Sequence, residues 1–108
     1  MKTEPLLLAL MLLIVAAITS AGEKKVGPDC TFNGKKLYGK VKFVDSFPDL
    51  KVRAVDAFPD LKVKMVNAFP DKCGLWQSVD AFPDLKVQMV ENFPDIKIKF
   101  VDAFPGLP

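Results

Sequence analysis

From Lys40 to the end of the chain, apolar and polar residues follow a pattern that renews itself every eleven residues. Copies begin at Lys40, Lys51, Lys62, Leu75, Lys86 and Lys97, and each is apolar mainly at positions 2, 4, 5, 8 and 11. Position 5 is always Val, position 8 always Phe and position 9 always Pro. Between position 11 and position 4 of the next copy the residues alternate, as in Leu50-Lys51-Val52-Arg53-Ala54. Alternation of this kind predicts a half-buried strand. The Phe-Pro-Asp that follows predicts a turn, in which Pro presets φ and Asp caps a backbone amide. Each copy is therefore one strand and one corner, and the Phe is expected to tuck beneath the corner. A helical coiled coil, the other meaning of an eleven-residue period, is excluded by a proline in every copy.

Units of this size cannot bury an apolar face alone, so the copies must pack on one another. Two all-β assemblies satisfy the pattern. In a β-solenoid, two copies form one flattened coil and equivalent side chains stack. In an antiparallel meander, the chain reverses at each Phe-Pro-Asp and closes into a small barrel. A unit this uniform suits surroundings that repeat by translation, which favours the solenoid. Copy four breaks the rhythm with the insertion Cys73-Gly74 and with Leu75-Trp76 in place of Lys-Val. The insertion is expected at a corner, and Trp76 has the inward phase of a core residue. Thr31 to Gly39, with its Asn33-Gly34 turn, reads as an N-terminal cap. Gly106 replaces the usual Asp and Pro108 lacks an amide donor, which reads as protection of an open strand edge.

Ahead of the array, Lys2 precedes an apolar run from Leu6 to Ile18, and Thr19-Ser20-Ala21 supplies small residues. That is the order of a secretory signal peptide, and the run is shorter than the ~20 residues of a membrane span. The expected organisation is a signal peptide over 1–21, an N-terminal segment and cap over 22–39, and a six-copy β-repeat domain over 40–108. Export to the periplasm or the extracellular space places Cys30 and Cys73 where a single disulfide forms.

Charge and chemistry narrow the function by exclusion. A formal net charge of +2 is too balanced for a nucleic-acid binder. The chain has no His, and carboxylate pairs such as Asp45/Asp49, Asp56/Asp60 and Asp80/Asp84 recur along the array. An active site is a unique pocket, so no catalytic, cofactor-binding or metal residues are assigned. Stacked Asp at positions 6 and 10 offers a calcium-stabilised module as an alternative, with the neighbouring Lys as competing compensation. Lys51, Arg53, Lys62, Lys64, Lys97 and Lys99 form a candidate basic stripe for anionic envelope polymers, or a charged face that maintains solubility.

Tandem Phe-Pro-Asp-Leu-Lys-Val units, with Asn33-Gly-Lys-Lys-Leu-Tyr-Gly39 before them and the Lys72-Cys-Gly-x-Trp76 insertion among them, cover about residues 30–107. In this the chain resembles small exported bacterial proteins built from such units. The resemblance implies no activity. The expected role is an exported structural or interaction module that presents a β-repeat surface to a protein or an anionic envelope polymer. A small inhibitor of an envelope or secreted enzyme is a further alternative.

Overall fold

The computed structural model describes residues 25–108, and the expected signal peptide over 1–21 lies outside them. Strands β1 (Thr31–Phe32) and β2 (Lys35–Lys36) form the hairpin of the cap, pairing Thr31 with Lys36. Its two turn residues, Asn33 at φ 51° and Gly34 at φ 81°, are both left-handed, as a two-residue hairpin turn that follows the strand twist requires. The copies give β3 (Gly39–Phe43), β4 (Leu50–Ala54), β5 (Leu61–Met65), β6 (Leu75–Ser78), β7 (Leu85–Met89) and β8 (Ile96–Phe100). Positions 11 and 2 point inward: Leu50, Val52, Leu61, Val63, Ile96 and Ile98 are all completely buried.

The six repeat strands are parallel and close into a barrel in the order β3–β7–β4–β8–β5–β6. Most successive copies are therefore not neighbours but lie one strand apart. Register explains how so short a corner can join parallel strands, which ordinarily need a crossover of a dozen residues or more. Each interface is offset by two residues, so Val87 pairs with Phe43 on one flank and with Leu50 on the other. Strand β3 ends level with the start of β4, and residues 44–49 have only β7 to step over. That is roughly 10 Å, at about 4.8 Å per strand. Val44 N donates to Val87 O at 2.9 Å, and Asp49 N donates to Lys86 O at 2.8 Å, which pins both ends of the corner to the strand it crosses. The same relation recurs around Ile98, Val52 and Val41. The interior is filled, so the corners pass outside.

Steps of one strand in two cannot continue indefinitely on a ring of six. After β3, β4 and β5, the next seat would fall on β3 itself, because Trp76 of β6 is already flanked by Met65 and Gly39. The Cys73-Gly74 insertion resolves the conflict. Residues 66–74 return the chain beside β5, where β6 fills the gap next to β3, and a second circuit begins through β7 and β8. The last corner crosses β5, where Gly106 and Lys62 exchange two backbone hydrogen bonds of 2.8 Å. Trp76 is fully buried, and its Nε1 donates to Leu37 O at 3.0 Å. Leu37 is itself completely buried. Cys30 and Cys73 are bonded, with Cα atoms 5.8 Å apart, which ties the cap to the insertion.

Two expectations need correction. The strands run in one direction as in a solenoid, but the array closes by rotation instead of extending by translation. The small barrel of the alternative is what forms, with parallel rather than antiparallel strands. Closure also removes the open edges that Gly106 was expected to protect; Gly106 instead seats the last corner against β5.

Gly74 stands where three backbones meet. It has φ +84°, and a Cβ there would lie 2.4 Å from Lys62 O and 2.6 Å from Gly106 N. Gly74→Ala must displace the last corner and is expected to cost about 3 kcal/mol in denaturant unfolding. Gly34→Ala, with open space around it, is expected to cost only about 1 kcal/mol of backbone strain. Equal losses at the two sites would mean that the close approach at Gly74 contributes nothing beyond its φ.

Candidate functional site

Strand order brings the candidate basic residues together. Lys51 and Arg53 lie on β4, Lys97 and Lys99 on β8, and Lys62 and Lys64 on β5, which are three consecutive staves of the barrel. Arg53 stands directly opposite Lys97, and Lys62 opposite Lys99. Like charges facing each other across a ladder are unfavourable by about 0.2–1 kcal/mol per pair. A third pair, Lys42 opposite Lys86 on β3 and β7, escaped the sequence reading, because those strands are far apart in the chain and only strand order reveals them. The wall is not uniformly basic, since corner 55–60 crosses it and brings Asp60 against β8.

The repeated aspartates have a structural use. Oδ2 of Asp49 accepts the Lys86 amide, that of Asp60 the Lys97 amide, that of Asp84 the Lys40 amide and that of Asp95 the Lys51 amide, at 2.8–2.9 Å. Each carboxylate straps its corner to a strand 37 or 44 residues away in sequence. The turn motif by itself predicts only that each Asp caps its own turn. No group of three or more His, Cys, Asp or Glu stands together as a metal site among the described residues.

The corner phenylalanines contradict expectation most sharply. Phe47, Phe58, Phe69, Phe82, Phe93 and Phe104 do not tuck under the corners but are 83–92% exposed. All six also have φ between 53° and 56°. This left-handed region costs a residue with a side chain roughly 1–2 kcal/mol, and a bulky residue there is an outlier. Five of the corners cross five different staves (β7, β8, β3, β4 and β5) and the third lies beside β5 and β6, so the rings are distributed around the barrel. A second apolar feature lies at the C-terminal end of the strands. Position 4 continues the inward phase, yet Phe43, Met65, Met89 and Phe100 are 39–43% exposed there, where no described segment covers the mouth. Phe43 packs against Trp76, with ring centroids 6.2 Å apart.

The family described as the 7(1) septoil knot domain matches residues 34–108, from the hairpin turn through all six copies and the insertion. The chain belongs to this septoil knot family. In this chain the corners of each circuit pass across strands of the other. An uncharacterized protein of Synechocystis sp. is 75% identical over 48 residues, a match covering 44% of this chain and 43% of that protein. This septoil knot domain thus has a bacterial relative, and the match spans less than half the length of either chain.

If the fold does not use the corner rings, removing one must not weaken it. Phe58→Asn is expected to leave the unfolding free energy unchanged or to raise it by up to about 1 kcal/mol, through relief of the left-handed backbone. Val52→Ala in the core is expected to lose about 2 kcal/mol or more. A loss at Phe58 comparable to that at Val52 would assign the ring to the core.

Proposed function

We propose that this septoil knot domain is an exported interaction module that offers its Phe-Pro corners to a protein partner. The observation behind this reading is the state of the six phenylalanines. The core does not need the rings, and the backbone would be better served by Gly or Asn at a left-handed position. The copies have diverged elsewhere: position 4 is Phe, Ala, Met, Ser, Met and Phe in turn. The corner Phe is nonetheless retained in every copy, so its use lies outside the described barrel.

The flanking residues describe the partner. Two positions before the ring stand Asp45, Asp56, Asp80, Glu91 and Asp102, all exposed. An aromatic ring bordered by carboxylates fits an apolar pocket rimmed by Lys or Arg, and complementary charge steers such encounters. Corners repeated around one rigid barrel also permit simultaneous engagement of several pockets, which raises avidity without new contacts. An enzyme whose cleft accepts a Phe-Pro corner is one such partner, so an inhibitory role falls within the same reading. Export is supported by the N-terminal signal pattern and by a Cys30–Cys73 bond of the kind that persists in oxidising compartments.

Photo-crosslinking decides the matter. With p-benzoylphenylalanine in place of Phe58 or Phe93, one envelope or secreted protein is expected to be captured from both positions. An excess of unlabelled wild-type domain should compete, and a Phe47→Ser/Phe58→Ser/Phe82→Ser/Phe93→Ser domain should not. Competition by the serine variant equal to that of wild type would show that the rings are not the contact.

The facing cations on β4, β8 and β5 favour a second reading, in which the wall meets anionic envelope polymer and its charge repulsion is relieved. Arg53→Gln with Lys97→Gln is then expected to bring the domain off polyphosphate-agarose at a lower salt concentration, as each lost contact reduces the salt dependence. Unchanged elution would leave those charges as solubilising surface.

A further inference from the structure

The repetition of the barrel is broken at one place. Where the cap hairpin meets the first, third and fourth corners, Lys35, Lys36, Tyr38, Asp49, Asp71 and Asp84 line a cavity of 640 Å³. It lies within the size range of small-molecule sites, about 300–1,000 Å³. No other corner can reproduce it, because the array has one cap and one insertion. We propose that this cavity is a saccharide-binding site.

The lining selects that chemistry. Asp84 and Asp49 are immobilised through one oxygen each: Asp84 Oδ2 accepts Lys40 N at 2.9 Å, and Asp49 Oδ2 accepts Lys86 N at 2.8 Å. An ionised carboxylate has about four acceptor positions, so both retain acceptor capacity for hydroxyl groups at no cost in side-chain ordering. Lys35 and Lys36 supply donors on the hairpin side. Tyr38 adds an aromatic face, whose negative potential attracts the slightly positive C–H face of a pyranose. Lys36 Nζ now lies 5.6 Å from that ring's centroid. At an exposed site such a cation–π contact is worth only about 0.5–1 kcal/mol. A sugar ring can take its place and leave the ammonium free to bond a hydroxyl.

Other ligand classes fit less well. Two ammonium groups against three carboxylates leave the lining with a net negative charge, which disfavours phosphates and polyanions. The polar walls disfavour an apolar ligand, and the acidic residues do not form a metal-binding group. The same negative excess favours sugars that carry an amino group.

Titration of the isotope-labelled, oxidised protein with cellobiose and with a glucosamine disaccharide, followed through backbone amide resonances, tests the site. Shifts confined to residues 35–39, 49, 70–71 and 84 are expected, with the amino sugar binding more tightly. Tyr38→Ala should weaken binding by about tenfold, equivalent to roughly 1.4 kcal/mol. Asp84→Asn keeps an acceptor for the Lys40 amide and should abolish the preference for the amino sugar. Phe58→Ser should change nothing, which separates this site from the corner surface. An absence of shifts with either sugar at about 10 mM, the weak end of specific affinity, would overturn the proposal. So would shifts that survive Tyr38→Ala undiminished.

Discussion

Val87 touches the end of one strand on its left and the beginning of the next on its right. That relation, a two-residue offset at each strand interface, governs the molecule. Without it, a parallel return would have to travel the full length of a five-residue strand, about 16 Å at 3.3 Å per residue, as well as cross the intervening strand, which leaves a six-residue corner of about 20 Å reach almost no slack. With it, the corner has only to straddle one strand. The accumulated offset also tilts the strands steeply, and tilt, stagger and strand number together set the bore of a barrel. This bore accepts two inward side chains per strand. The third inward position is left at the mouth, which is why Phe43, Met65, Met89 and Phe100 are only half covered.

A second constraint is arithmetical. Steps of two around six seats close after three, and a uniform array would collide with its own first strand. The insertion at Cys73-Gly74 is the one irregularity that changes the step, and features found nowhere else in the array gather around it. The disulfide, the Trp76 side chain with its bond to Leu37, and the backbone contact of Gly74 with Gly106 all lie at this transition. The strapping aspartates do the opposite work, repeating one bond at four equivalent crossings.

Local features were legible in the chain. The alternation around Leu50-Lys51-Val52 marked strands, Asn33-Gly34 marked the hairpin turn, and the phase of Trp76 placed it inside. What could not be read was the operation relating one copy to the next. Translation and rotation offer the same alternating face to the same neighbours, and a corner of given length serves both, so solenoid and barrel look alike from within one unit. The pairing of Lys42 with Lys86 was hidden for the same reason. The stripe of Lys51, Arg53, Lys62, Lys64, Lys97 and Lys99 was chosen for its phase, and its assembly on adjacent staves depends on a strand order that phase does not contain. The phenylalanines misled because burial is the ordinary fate of an aromatic ring beside a turn. Nothing in the residue type announces a left-handed backbone, since Phe is among the residues least suited to it.

Near-identity of the copies has a consequence for how the chain finds this structure. Positions 11 and 2 carry almost the same side chains in every unit, so a strand placed one seat away would meet nearly the same neighbours. The unfolded chain therefore faces several compact arrangements of similar energy, the condition under which a landscape becomes frustrated and traps form. The core cannot distinguish these arrangements. The discriminating contacts are the unrepeated ones at the cap and the insertion, where only one copy can offer an indole to Leu37 and a sulfur to Cys30. Those few residues act as an address label: they tell five interchangeable strands where to begin counting.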